Sequence, residues 1–453
     1  MWNISRQKYI KLDTIFSSAS NSQKSSIKVI RVSGNNAKKI PKIFSFKPTK
    51  PRVASLRKIY DLKNNLIDNA LIIYFPGPKS VTGEDIIEFH IHGSTYIEKK
   101  IYNTLAKTKN FRIAERGEFT KRAFLNGIID LTQAEGLNDL INSDTESQFK
   151  LSMSQYEGAL FKKICSWRDE IIYLLSKLEA LIDFSDEDLP KEIYDDFHIR
   201  VTKILNEMKK AIKDSNYGKR VKDGFVITLL GRPNVGKSSL INFLSDKKVA
   251  IVTDEAGTTR DILEVMMDFE GFPVILNDTA GIRKAKTEVE KIGVKRALQK
   301  AEESDLILIL SDNEDFSYPE FKSKVKKIFV HTKADLKKTL NKNIHNISVK
   351  QDIGINDLIK KIVNHLNLMV PKESALLTQK RHVNAVEKAI DALNDLLLID
   401  INICPELASE DLRIAAKEIG NITNVIDVED ILDDIFNRFC IGKWTLKKWK
   451  ILM

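Results

Sequence analysis

Residues 231–238 read Gly-Arg-Pro-Asn-Val-Gly-Lys-Ser, the pattern G-x-x-x-x-G-K-[ST]. An apolar run, Phe225 to Leu230, leads into it, and a helical pattern, Ser239 to Leu244, leads out. Strand, glycine-containing loop and helix, in that order, form the context in which this pattern binds phosphate. The glycines let backbone N–H groups wrap a phosphate, and the helix N-terminus adds positive potential. Lys237 then meets the β- and γ-phosphates, and the Ser238 hydroxyl ligates Mg2+. The candidate phosphate contacts are Asn234, Val235, Gly236, Lys237, Ser238 and Ser239.

Three further pieces follow in the order of a GTPase. Gly257-Thr258-Thr259-Arg260-Asp261 offers a switch threonine, Thr259, to Mg2+. Asp278-Thr279-Ala280-Gly281 closes a strand, so Asp278 can support the Mg2+ shell and Gly281 can bond the γ-phosphate. Thr332-Lys333-Ala334-Asp335 follows the run Lys327 to Val330, and Ser348-Val349-Lys350 closes the base pocket. The Asp335 carboxylate accepts two hydrogen bonds from a guanine edge; adenine lacks that donor pair. Position 332 is usually asparagine in such a motif. Threonine keeps a hydroxyl and loses an amide, an expected deficit of about 1 kcal/mol in affinity. Ile282 stands where a Ras-type enzyme has glutamine to orient water. Either hydrolysis is poor or another group positions the water. Glu288 and Glu290 lie nearby, and from the residues alone both read as solvated helix positions.

Around this core the chain changes texture three times. Residues 1–126 mix short β-like runs (Ile27 to Val32, Ala70 to Phe75, Asp85 to Ile91) with Gly and Pro turns, as a small α+β domain does. From 127 to 219, Ile164, Trp167, Ile171, Leu174, Leu178 and Leu181 step by three and four along one helix face. The acidic stretch Asp183 to Asp188, with Pro190, breaks that helix, and a second pattern runs to about Lys213. From 220 to 370, apolar strands (Phe225 to Leu230, Val274 to Asn277, Leu306 to Leu310, Lys327 to Val330) alternate with helices, which predicts an open, mostly parallel sheet. After Pro371, Val383, Val386, Ile390, Leu393 and Leu397 restore the helical period. One helical domain interrupted by an inserted α/β domain is the economical reading.

Composition agrees. The 453 residues suit about three domains. With 43% hydrophobic and 30% charged residues, the chain is neither disordered nor fibrous. Lys+Arg 72 against Asp+Glu 62 gives +10, which tolerates nucleic acid or an anionic membrane as partner, although no basic stripe stands out. Cys165, Cys404 and Cys440 are too far apart for a metal motif and suit a reducing compartment. No apolar run reaches the roughly 18 residues of a membrane span. Met1 to Leu12 carries Arg6, Lys8 and Lys11 without an apolar stretch, so the expected location is the cytoplasm.

These motifs, the Gly257-Thr258-Thr259-Arg260-Asp261 form and a terminal Phe439-Cys440-Ile441-Gly442-Lys443 together resemble the MnmE (TrmE) family of tRNA uridine-modification GTPases. So do Asp13-Thr14-Ile15, Ile30-Arg31-Val32-Ser33-Gly34, Phe75-Pro76-Gly77-Pro78, Thr82-Gly83-Glu84-Asp85, Arg116-Gly117-Glu118-Phe119-Thr120 and Arg122-Ala123-Phe124-Leu125-Asn126. The resemblance runs in order from residue 13 to 443. It implies an N-terminal folate-binding and dimerisation domain at 1–126, a helical domain at 127–219 and 371–453, and an inserted G domain at 220–370. It also implies a K+-stimulated homodimeric GTPase working with the flavoprotein MnmG as a heterotetramer. Together they would modify C5 of the wobble uridine of certain tRNAs with a one-carbon unit from 5,10-methylene- or 5-formyl-tetrahydrofolate.

By the same resemblance, Asn234, Thr253, Glu255 and Thr258 match the K+ ligands, with Thr253 and Thr258 also at the nucleotide. Glu290 matches a water-orienting glutamate; Arg31, Glu88 and Lys443 match folate-binding positions; Cys440 matches a cysteine of the modification chemistry. Three features depart from the family. The loop Ser20 to Ile27 has no glycine, Ile128 replaces a folate-contacting lysine, and Trp444 to Met453 follow the terminal motif. An alternative therefore stands beside the enzyme: a GTP-gated switch for RNA or ribosome assembly with a decayed folate site. Folate metabolism without RNA is a weaker third. Glu88, His90 and His92 share a strand face, where local hydrogen bonding outweighs a metal site.

Overall fold

Apolar strands ending at glycine-bearing turns organise both halves of the molecule. A computed structural model describes residues 13–20, 25–183, 191–246, 264–278, 298–313, 315–316, 324–371 and 376–423. The chain divides into two units, Met1–Asn138 with Gly420–Met453, and Asp139–Ile419.

In the first unit, strands β1 (Thr14–Ser18), β2 (Ile27–Ser33), β3 (Ser55–Tyr60), β4 (Leu66–Phe75), β5 (Ile86–His92) and β6 (Phe111–Ile113) form a sheet in the order β3-β4-β5-β2-β1-β6. Only the β1–β6 pairing is parallel. Alternation puts Ile30, Val32, Ala70, Ile72, Phe89 and Ile91 on a buried face. Helix α2 (Thr95–Ala106), begun by a Ser94 cap on the Tyr96 N–H, adds Ile101, Tyr102 and Leu105 to that core. Lys28 lies in the same layer, fully buried, and is neutralised by Glu98 at 2.7 Å. Helices α1 (Ile40–Ile43) and α3 (Glu118–Leu125) complete this unit, and α4 (Leu131–Ile141) runs across its boundary.

In the second unit, α5 (Glu146–Tyr156), α6 (Ala159–Asp183) and α7 (Lys191–Asp223) precede a second sheet. The stripe read from sequence is the core face of α6: Ile164, Trp167, Ile171, Leu174 and Leu178 are at most 2% exposed. Trp167 and Lys163 both bond the Glu207 carboxylate, at 3.1 and 2.7 Å, fastening α6 to α7. Helix α7 continues ten residues past the expected end at Lys213. Its last turns are polar and carry only Tyr217 and Val221 toward the core, too sparse a signal for periodicity.

The second sheet has strands β7 (Phe225–Gly231), β8 (Glu264–Phe269), β9 (Phe272–Asp278), β10 (Leu306–Ser311), β11 (Lys326–His331) and β12 (Ile344–Asn346), in the order β12-β11-β10-β7-β9-β8. All neighbours are parallel except the β8–β9 hairpin at one edge. Its central strands are buried on both faces, which is why they read as unbroken apolar runs. Helices α8 (Lys237–Leu244) and α9 (Ile355–Asn367) pack on it through Leu240, Ile241, Leu358, Ile362 and Leu366. The start of α5 meets the hairpin turn, with the Ser147 N–H donating to the Gly271 carbonyl at 3.0 Å.

Helices α10 (Lys380–Leu396) and α11 (Pro405–Thr423) follow. On α10 the buried face is Ala385, Val386, Ala389, Ala392, Leu393 and Leu396, rotated from the expected stripe, and Val383 and Ile390 are half-buried. Three alanines share this face with Val386, Leu393 and Leu396, which are fully buried. Among the described residues, no helix is long and apolar enough to cross a membrane.

Candidate functional site

Two segments far apart in sequence meet at the C-terminal ends of parallel strands, where ligands of open α/β sheets bind. The first is the loop that leaves β7. A Cβ on Gly231 would stand 2.5 Å from the Leu310 carbonyl oxygen of β10, so only glycine lets the loop turn there. Gly236, at φ +101°, turns the chain into α8, and a Cβ there would meet nothing within 4 Å. Asn234 is also left-handed, at φ +64°, and exposed. Lys237 is the first residue of α8 and is 6% exposed. Its ammonium donates to the Gly231 and Arg232 carbonyls, each at 3.1 Å, so the charge sits over the loop. Ser238 and Ser239 are exposed in the first turn of the helix, where N–H groups have no intrahelical acceptor.

The second segment leaves β11. The Thr332 N–H donates to the Ser311 carbonyl at 2.8 Å, and the Thr332 hydroxyl donates to the Val235 carbonyl at 2.6 Å. The Ala334 N–H donates to Ile347 O at 3.0 Å, bringing the 347–350 segment alongside. Asp335 Oδ1 accepts from the Ser348 hydroxyl at 2.6 Å, and Ser348 is fully buried. That hydrogen bond, followed by the charge of Lys350 among weaker causes, holds the Asp335 carboxyl below its ordinary 3.8. The group is therefore ionised at neutral and mildly acidic pH. Its capacity to accept hydrogen bonds as a carboxylate is lost only as pH falls through that depressed value. Val349 is half-buried and Lys350 exposed at the mouth.

Asp312 and Asp315 belong to this neighbourhood and were not among the residues read from sequence. Asp312 pairs with Lys333 at 2.7 Å, and Asp315 pairs with Arg232 of the phosphate loop. Both follow Ser311, which the β10–β11 register sets beside His331. The only sequence signal was an apolar strand ending in Ser-Asp, and its meaning depends on which strands pair.

Asp278 is the last residue of β9 and pairs with Leu229 of β7, close upstream of the phosphate loop. Thr253, Glu255, Thr258, Thr259, Thr279, Ala280, Gly281, Glu290, Cys440 and Lys443 lie outside the described residues.

In the N-terminal sheet, Arg31 and Glu88 face each other across β2 and β5. Their side chains pair at 2.8 and 2.9 Å, and the guanidinium stands 5.7 Å from the centre of the Phe119 ring. His90 lies 3.4 Å from the other Glu88 oxygen, while the His92 ring bonds Asp68 at 2.8 Å. Among the described residues, no group of three His, Cys, Asp or Glu side chains could hold a metal ion. Ile128 is 41% exposed and lies beside Gly83.

A buried network of ion pairs and hydrogen bonds joins four of the quoted motifs. Arg122, 6% exposed, bonds both Glu84 oxygens at 3.0 Å and Glu118 at 3.1 Å. Glu84 also accepts from Ser33, and Arg112 clamps Glu118 with two bonds. Removing the shared cation leaves the Glu84 carboxylate without a cationic partner in a nearly dry site, while Arg112 still holds Glu118. Arg122→Ala is expected to cost about 3–5 kcal/mol. Hydrogen exchange across residues 27–33 and 86–92 of the full chain reads the loss; unchanged protection would contradict it.

Comparison with known proteins agrees with both halves. A model described as the GTP-binding protein TrmE N-terminus matches residues 14–128, and one described as the MnmE helical domain matches residues 131–440. The tRNA modification GTPase MnmE of Anaplasma marginale is 39% identical over 96% of this chain and 100% of its own. The proteins of that name from Pelagibacter ubique and the Wolbachia of Brugia malayi are 41% and 40% identical, each over 95% of this chain and at least 99% of their own. A crystal structure of Aquifex aeolicus Era bound to GDP and AlF4- is similar over 39% of this chain and 67% of its own, at 25% identity and a TM-score of 0.25. On the length and identity of the curated matches, this chain belongs to the MnmE family of tRNA modification GTPases.

Proposed function

We propose that this chain hydrolyses GTP in the service of tRNA modification. With MnmG it would install a carboxymethylaminomethyl or aminomethyl group at C5 of the wobble uridine of certain tRNAs, with carbon from a tetrahydrofolate. The observation that carries the nucleotide reading is that the two motif segments meet. The Lys237 ammonium sits over the phosphate loop, the buried Thr332 hydroxyl ties that loop at the Val235 carbonyl to the end of β11, and Ser348 holds the guanine-reading Asp335 carboxylate. The relatives' name supports tRNA as the substrate.

In this mechanism Lys237 neutralises phosphate oxygens, the loop and the first turn of α8 donate N–H bonds, and Asp335 accepts from guanine. Glu290 accepts a hydrogen bond from a water and aims its oxygen at the γ-phosphorus. Ser238 and Thr259 would hold Mg2+; Asn234, Thr253, Glu255 and Thr258 would hold K+. Amide, hydroxyl and carboxylate oxygens are the hard donors such cations take, and Asn234 is exposed on the loop where a cation would need it. When bound, the cations supply positive charge to oxygens that become more negative in the transition state.

Arg31, Glu88 and Lys443 would bind the folate, and Cys440 would act in the modification step. We assign residues 1–126 to the folate and dimer domain, 127–219 and 371–453 to the helical domain, and 220–370 to the G domain. The working form is a cytoplasmic homodimer joined by MnmG. Turnover is expected to be higher in KCl than in NaCl at equal ionic strength; equal rates would count against the cation role of Asn234. Mass spectrometry of wobble uridines from cells lacking the protein tests the function as a whole. Loss of the C5 group supports it. An intact group with defective ribosomes supports the assembly switch instead.

A further inference from the structure

The phosphate and base loops occupy the C-terminal ends of the strands in the second sheet. The opposite end carries a cleft of about 500 Å3 that nucleotide binding does not use. Its walls come from places distant in sequence: Arg220 in the last turn of α7, Asp305 just ahead of β10, Lys324 and Lys326 at the entry to β11, and His365 near the end of α9. Asp305 pairs with Arg220 and accepts the Val226 N–H at 3.0 Å. The His365 imidazole is held below its ordinary 6.5, first by burial, with a backbone contact to Asp305 opposing and the Lys326 charge adding to the effect. It is therefore uncharged at neutral pH, and the free charge of the cleft is that of the two lysines.

Arg220 also ends a row on α7. Lys209, Lys213 and Arg220 are spaced by four and seven residues, which places them on one helix face over about 16 Å. Lys209 and Lys213 are exposed, and Lys209 donates to Asn394 at 3.2 Å. Among the described residues, no carboxylate pairs with Lys213, Lys324 or Lys326. Five cations thus stand against two carboxylates: Asp305, which Arg220 already neutralises, and the exposed Glu302. The two basic segments are 104 positions apart, from 220 to 324, so no stripe shows in the sequence and the fold assembles one.

We propose that this face is a docking track for RNA phosphates, by which the chain holds its tRNA away from the nucleotide loops. A small free anion would need the cleft alone, whereas the row on α7 extends the charge beyond it. No aromatic side chain lines the cleft, which suits phosphates rather than bases. The proposal deepens the tRNA reading above and rests on it.

Fluorescence anisotropy of the full chain with unmodified tRNA from cells lacking the protein tests the track, in KCl from about 50 to about 200 mM. Lys213→Ala, Lys324→Ala and Lys326→Ala together should raise the dissociation constant about tenfold or more, and should lower the slope of log affinity against log salt by about two. Arginine at the same three positions should keep affinity within about twofold, because charge is what the backbone recognises. GTP turnover without tRNA should stay within about twofold in both variants. An alanine variant with unaltered affinity and slope would overturn the track, as would an unaltered chain that binds no tRNA. Inorganic phosphate that binds the GDP-loaded chain and is lost in the alanine variant, with tRNA affinity unchanged, would make the cleft a free-anion site instead. The tRNA reading fails separately, through an intact wobble-uridine group in cells lacking the protein.

Discussion

Asp335→Asn is expected to weaken GTP binding by about a hundred- to a thousandfold and to strengthen binding of xanthosine triphosphate. Guanine presents two adjacent N–H donors, and a carboxylate accepts both. The Ser348 hydroxyl already occupies one lone pair of Asp335 Oδ1, at 2.6 Å, yet each carboxylate oxygen offers two. Asparagine sets an amide N–H against one of those donors. Two charge-assisted bonds go, and one donor is left facing another. At about 1.5–2 kcal/mol each, the loss amounts to roughly two to three orders of magnitude in affinity. Xanthine carries a carbonyl in place of the exocyclic amine, which the new amide can serve. Equilibrium titration with both triphosphates measures this. GTP affinity within about threefold of the unaltered protein would remove Asp335 from base recognition.

Lys237→Ala is expected to lower affinity for GTP and GDP by about a hundredfold or more, and turnover with it. Lys237 is 6% exposed and its ammonium bonds two loop carbonyls at 3.1 Å, so it serves the loop as well as the ligand. Its loss removes the main positive charge at the phosphates and uncaps the Gly231 and Arg232 carbonyls. Two or more charge-assisted bonds at about 1.5–3 kcal/mol each account for the size of the effect. Hydrogen exchange in the N-terminal sheet should be unchanged, because that unit has its own core. Turnover within about tenfold of normal would contradict the assignment.

The phosphate loop was legible because everything it needs is contiguous: a doubly buried strand, two glycines at set spacing, and a helix that starts on the lysine. The base motif was legible for a similar reason, since Thr332 to Asp335 follow a buried strand directly. What joins them was not legible. The Thr332 bond to Val235 depends on β10 lying between β7 and β11, and the pairing of Lys333 with Asp312 depends on the β10–β11 register. Local sequence encodes neither. Edge strands were also missed. β3 exposes alternate residues, and β8 lies at the sheet's rim, so neither gives an unbroken apolar run. On α10, Val386 and Leu393 are buried as expected, while Val383 and Ile390 are only half-buried and three alanines and Leu396 complete the face.

In the N-terminal unit the quoted motifs turned out to be linked physically as well as by resemblance. Ser33, Thr82, Glu84, Glu118 and Arg122 form one hydrogen-bonded group. Sequence spacing alone places these residues up to 89 positions apart, from 33 to 122, and gives no reason for them to meet.

The most direct measurement is a calorimetric titration of the purified full chain with GDP and ADP in Mg2+ and KCl. Strong binding of the guanine nucleotide with the adenine nucleotide weaker by at least about a thousandfold is the predicted outcome. Comparable affinities for the two would mean that Asp335 does not select the base, and the account built on it would be wrong.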